Sequence, residues 1–214
     1  MKIKPEGWNL NIVGSWNPAI LNPNWLSNNV FHVDTVSIEM GLLQPGGIQV
    51  SITANNVNII PYKDRVMIRP LNYESETLDL CDNYARELLT LLPHTPIAAA
   101  GVNMSFVLKE DYPDKLIQLF EDDDEGEITN DFASIQQKVY SRKLLLSHRQ
   151  NVELNYKVIY DNISLANENI SLEFNYHHPK ESVGDLQGLI RGFNSYKELS
   201  LDFLNRVYEL ELEN

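Results

Sequence analysis

Histidine and carboxylate pairs are the residues in this chain whose types and spacing suit proton transfer or metal binding. His32-Val33-Asp34 is the first. On a strand, residues two apart project to the same face, so His32 and Asp34 would form a proton-relay or metal-ligand pair. No second ligand pair follows at zinc-site spacing, so a structural or surface role is the stronger reading and no metal is expected. His94 lies in Pro93-His94-Thr95-Pro96, a rigid link after a helical pattern. A histidine in that place would suit a general base. No nucleophile stands beside it, which favours a bond to the last carbonyls of the preceding helix. His32, Asp34 and His94 make one alternative catalytic cluster, conditional on the fold bringing them together. His177-His178 ends a strand with one ring on each side, a poor chelate. Cys81 falls inside an apolar helical stripe and reads as a buried, inert thiol.

The run Glu121-Asp122-Asp123-Asp124-Glu125-Gly126-Glu127 invites a calcium reading. With Gly126 at the sixth position of an EF-hand loop, the twelfth falls on Phe132 where a glutamate is required, so the motif fails. The run reads instead as an exposed, poorly ordered acidic loop. GxGxxG, GxxxxGK[ST], GxSxG and HExxH are all missing from the sequence. No catalytic residue, cofactor or metal ligand is therefore assigned on motif grounds.

Composition narrows the classes further. The chain has 214 residues, with 17 Lys+Arg against 30 Asp+Glu and a net charge of -13. Duplex nucleic acid needs a basic surface that releases counterions, so it is not an expected partner. No apolar run approaches the roughly 20 residues of a membrane-spanning helix, and the basic start lacks the apolar stretch of a signal peptide. The single cysteine forbids an intramolecular disulfide and fits a reducing, cytoplasmic setting.

These residues are carried by a pattern of short strands followed by a helix, met twice. Apolar alternation marks strands at Trp8–Val13, Phe31–Met40, Ile48–Thr53, Asn56–Pro61 and Arg65–Arg69. Leu78, Cys81, Tyr84, Ala85, Leu88, Leu91 and Leu92 form one stripe of a helix over Thr77–Leu92, capped by Ser75 or Thr77. Ala98–Leu108 reads as a strand and Asp114–Phe120 as a short helix. Strand character resumes at Lys138–His148, and Val152–Asp161 with Asn169–His178 form a hairpin. A second long helix is expected from about Asp185 to Glu211, with Tyr196, Leu199, Phe203, Val207 and Leu210 as its apolar stripe. Its Gly184, Gly188 and Gly192 share one face, or mark a frayed first part. The expected fold is α+β: a largely antiparallel sheet with two long amphipathic helices. One domain, 1–214, would hold two pseudo-repeated halves, about 30–109 and 138–211, joined by the acidic loop 121–127.

Strands at Arg65–Pro70, the helix at Thr77–Leu92 and the start Gly101-Val102-Asn103 of the next strand make the region Ile59–Phe106 resemble a widespread group of bacterial proteins with no assigned activity. The segment Asn17–Leu26 departs from the usual start of that group. Missing catalytic motifs and an acidic surface lead to a non-catalytic interaction or accessory protein, in a bacterial or phage-encoded assembly, with an enzyme of the His/Asp type as the alternative. The partner would be another protein or a second copy. Trp16 and Trp25, on a turn-rich stretch, either lie at such an interface or plug the core of the chain itself.

Overall fold

In the computed structural model, which describes residues 1–43, 47–109, 112–120, 137–146, 152–161, 170–179 and 192–213, the alternating segments become a ten-stranded sheet. The strands are β1 (Lys2–Ile3), β2 (Asn9–Gly14), β3 (Ser37–Leu43), β4 (Gly47–Ala54), β5 (Val57–Pro61), β6 (Arg65–Pro70), β7 (Ile97–Leu108), β8 (Gln137–Leu145), β9 (Glu153–Asp161) and β10 (Ile170–Pro179). Their order is β3-β4-β5-β6-β2-β7-β10-β9-β8, with β1 beside the far end of β7. All strand pairs described are antiparallel. Two long helices, α2 (Ser75–Leu91) and α4 (Phe193–Tyr208), join shorter helical turns α1 (Pro23–Leu26) and α3 (Asp114–Ile117). The α+β class expected from the strand and helix periods is the observed one.

Short turns build the meanders. Asn55 and Asn56 join β4 to β5, with φ of 50° and 60°. Two consecutive left-handed residues are what a type I′ hairpin turn requires, and asparagine tolerates that region. The succession of strand, helical turn, meander and long helix runs twice along the chain. It comprises β2, the turns from Pro23 to Phe31, β3–β6 and α2, then β7, the turns from Asp114 to Phe120, β8–β10 and α4. The initiating strands β2 and β7 lie side by side at the centre of the sheet.

Both long helices cover one face of the sheet. From α2, Leu78, Cys81, Ala85 and Leu88 are fully buried. They meet the inward residues of β5 and β6, including Val57, Ile59, Val66 and Ile68. Burial at about 25 cal/mol per Å² makes this apolar layer the main stabilising term. Trp8 sits between the helices and the sheet, edge-on to Phe106 and Tyr73 and stacked on Phe193. Its indole N–H donates to the Ser105 carbonyl at 2.8 Å.

Three expectations from the sequence need correction. The segment Phe31–Met40 is not one strand. Ser27–Phe31 closes as a π turn, His32 takes φ 52°, and the strand begins at Ser37. The Ser27 hydroxyl fixes this corner by donating to the Val33 carbonyl. The buried stripe of α4 is Phe193, Tyr196, Ser200, Leu204 and Tyr208, while Val207 is exposed. Ser200 can be buried because its hydroxyl bonds the Tyr176 hydroxyl at 2.6 Å, which an apolar pattern cannot reveal. Neither Ser75 nor Thr77 caps α2. Glu74 is the N-cap residue, and its carbonyl accepts from the Thr77 and Leu78 N–H groups. Glu121–Glu127, Gly184, Gly188 and the first part of the helix expected from Asp185 lie outside the described residues.

Candidate functional site

The sheet face opposite the helices carries a row of asparagines running across the strands. Antiparallel register places Asn155 of β9 beside Asn175 of β10, Asn175 beside Asn103 of β7, and Asn103 beside Asn9 of β2. The register that pairs Leu10 with Ile68 brings Arg69 next to Asn9, and Arg69 pairs in turn with Asn58 of β5. At the other end Asn155 pairs with Lys143 of β8. With strands about 4.8 Å apart, the four central carboxamides span about 14 Å.

Hydrogen bonds run along the row in one direction. Asn155 Nδ2 donates to Asn175 Oδ1 at 3.1 Å, Asn175 Nδ2 to Asn103 Oδ1 at 2.6 Å, and Asn103 Nδ2 to Asn9 Oδ1 at 2.8 Å. Asn11, one pleat along β2, donates to the same Asn9 oxygen. Asn58 donates to Thr53 Oγ1 at 2.7 Å and to the Ser51 hydroxyl. Each carboxamide offers two N–H donors and two lone pairs, and one link of the chain uses one of each. Asparagine is a poor strand former. Five of them on one face of β2, β7, β9 and β10 lower strand propensity where valine or threonine would raise it.

Two clefts flank the row and share Asn9, Asn103 and Asn175. One, about 540 Å³, is also lined by Gly7, Ser105, Asn155, Lys157 and Glu173. The other, about 390 Å³, is also lined by Asn11, Val13, Arg65, Met67, Gly101 and His177. The floor stays low because Gly7 crosses β7 closely: a Cβ there would meet the Ser105 Cβ at 2.1 Å. Four buried polar atoms on this face, Asn11 Oδ1, Arg65 Nε, Arg69 Nε and Ser105 Oγ, have no hydrogen-bond partner among the described residues. Buried donors and acceptors are nearly always paired, by protein, water or ligand. The strand positions of this face hold Lys2, Arg65, Arg69, Lys143 and Lys157 against Glu39, Glu153, Asp161 and Glu173. The helical side and tail carry Glu76, Asp79, Asp82, Glu198, Asp202, Glu209, Glu211 and Glu213. The helix-free face is thus close to charge balance in an acidic chain.

Among the described residues Ser105 Oγ has no hydrogen-bonded base of the kind that activates a nucleophile. Neither a protein-family model nor a curated protein matches the chain. The site therefore rests on its own geometry.

The residues singled out from the sequence lie elsewhere. His32, Asp34 and His94 are all exposed, and none lines either cleft. His32 occupies the left-handed cap of the π turn and Asp34 the irregular link before β3, so they do not share a strand face. His94 sits in the turn between α2 and β7. Among the described residues no group of three or more His, Cys, Asp or Glu is placed to hold a metal ion. Trp16 is 5% exposed, and its indole N–H donates to the Ile12 carbonyl at 3.0 Å, inside the chain's own core. Trp25 is half-buried against that core. His178 faces the helices, with Nε2 at 2.9 Å from the Tyr196 hydroxyl, while His177 faces the second cleft. Cys81 is fully buried, and burial raises its thiol pKa well above the ordinary value.

A second polar feature lies between the helices. Asp82 of α2 is 6% exposed, and its Oδ2 accepts from the Gly192 and Phe193 N–H groups at 3.0 and 3.1 Å. The carboxylate of one helix thereby caps the start of the other. Burial pushes its pKa up to about 7, against the lowering effect of those two N–H groups.

The asparagine row was open to detection in one respect. Glu153-Leu154-Asn155-Tyr156 and Glu173-Phe174-Asn175-Tyr176 repeat the same order of acidic, apolar, Asn and Tyr in neighbouring strands. An outward asparagine at the same place in two strands of one hairpin is a signal of an aligned row.

Proposed function

We propose that this chain is a non-catalytic interaction protein that holds an extended polar segment of a protein partner on its helix-free sheet face. The observation that carries this reading is the asparagine row, flanked by buried polar atoms without hydrogen-bond partners among the described residues. A ligand satisfying both the Asn11 oxygen and the Arg65 and Arg69 nitrogens must bring donors and acceptors together, as a peptide main chain does. The surrounding Arg65, Arg69 and Lys157 favour carboxylates in that segment. Single-stranded nucleic acid is a poorer fit, because it binds on aromatic platforms and, among the described residues, no Phe, Tyr or Trp lines either cleft. An enzyme built on His32, Asp34 and His94 has less support, since all three are exposed and apart from the clefts.

Selection of random displayed peptides on the immobilised protein tests the proposal. Enriched sequences should be rich in Asp and Glu. Their affinity should fall about tenfold or more in Asn103→Leu and Arg69→Leu, the loss of one or two charge-assisted or buried hydrogen bonds. It should be unchanged in Arg206→Ala on the helical side. Binding that ignores Asn103 and Arg69, or no enrichment at all, would defeat the proposal.

A further inference from the structure

The two edges of the sheet are built differently. Edge strand β8 carries Lys138, Arg142 and Lys143 over its nine residues. Charged side chains, lysine above all, are the usual guard against another chain pairing with an open edge. Edge strand β3 has the sequence Ser37-Ile38-Glu39-Met40-Gly41-Leu42-Leu43, with one charge and no lysine or proline. Ile38, Met40 and Leu42 are 50%, 76% and 89% exposed. They share the side of the strand on which Ile38 pairs with the fully buried Ile52. This side belongs to the helix-covered face, yet among the described residues the helix packed over this half of the sheet, α2, lies on β5 and β6.

We propose that β3 pairs with β3 of a second copy, antiparallel about Met40, and joins two sheets into one dimer. The sequence is self-complementary in this register. Ile38 of each copy would face Leu42 of the other, and Met40 would face Met40, so the exposed apolar side chains cover one another. Glu39 would face Gly41, where nothing lies within 4 Å of a side-chain position. The two carboxylates are thereby kept from lying directly opposite each other, which matters in a chain of net charge -13. An axis at Glu39 would set the two Glu39 side chains opposite each other, and one at Gly41 would set Ile38 opposite Gln44. A twofold axis makes the contact closed, as in most homo-oligomers.

The experiment is sedimentation velocity of the wild type and Leu42→Asp from 1 to 100 µM, with circular dichroism to confirm folding. Leu42 is exposed, so the variant should keep its fold. The wild type should sediment as a dimer. Leu42→Asp should dissociate about a hundredfold more readily, since the change enters the symmetric contact twice at about tenfold each. Register is read separately by oxidation of single-cysteine additions. Met40→Cys should cross-link, because directly opposed Cα atoms lie about 4.5–5.5 Å apart, within disulfide reach. Leu42→Cys should not, because its copies would lie about four residues, or 13 Å, apart along the strands. A monomeric wild type, a dimer indifferent to Leu42→Asp, or cross-linking through residue 42 rather than 40 would each overturn the proposal.

Discussion

Replacing Asp82 by asparagine should make the protein more stable at pH 8 and leave it nearly unchanged at pH 4. Asp82 is 6% exposed, and its Oδ2 accepts from two N–H groups at the start of α4. Burial raises its pKa from 3.8 to about 7. The folded state therefore holds the proton more tightly than the unfolded chain does. Below pH 3.8 both states are protonated and the group is neutral in its effect. As pH rises from about 4 to 7 the unfolded chain ionises first, and stability falls by about 1.36 kcal/mol per pH unit. Across that window the loss is about 4 kcal/mol, and above pH 7 it is constant. Asparagine keeps an oxygen for Gly192 and Phe193 and does not titrate. Urea unfolding of both proteins at half-unit intervals from pH 4 to 8 gives two curves whose difference isolates residue 82, since every other carboxylate is common to both. The difference should grow in favour of asparagine and level off near pH 7. A flat difference, or an asparagine variant less stable at pH 8, would refute the account. The latter would mean that ionised Asp82 gains more from the α4 N-terminus than burial costs it.

Other expectations follow from single contacts. Asn103→Leu breaks the row at its centre, removing the acceptor for Asn175 and the donor to Asn9, and should cost about 1–3 kcal/mol in urea unfolding. Trp8→Phe keeps an apolar ring but deprives the buried Ser105 carbonyl of the indole N–H. A loss of about 1–2 kcal/mol is expected by the same assay. Cys81 should not react with a disulfide reagent in the native protein, and its labelling rate in mild urea should track the opening of α2. Rapid labelling without unfolding would remove Cys81 from the core.

The strands and the two long helices were legible because their cause is local. An apolar side chain every second residue commits Val152–Asp161 to a strand, and the stripe from Leu78 to Leu88 commits α2 to covering something apolar. Asn55-Asn56 announces its own turn, because few other pairs tolerate two left-handed residues. The α+β class follows from counting such segments. His32 shows where local reading stops. Alternation continues through Phe31, Val33 and Thr35, yet the Ser27 hydroxyl and a left-handed His32 turn this stretch into a corner.

The asparagine row had no local cause to read. Asn9, Asn103 and Asn175 are separated by 94 and 72 residues, and each sits among apolar neighbours as an ordinary outward residue. They become one chain of hydrogen bonds because β2, β7 and β10 lie side by side in a particular register. A shift of one residue would turn every carboxamide to the helical face. The same holds for Asp82, which lies 110 residues before the N–H group it caps. The amino-acid sequence by itself determined most of the segments that are strands and helices, and that most of the chain's charge is acidic. Tertiary structure decided which polar side chains meet, since hydrogen bonds of 3 Å reach depend on strand order and register, which hydrophobic period does not encode.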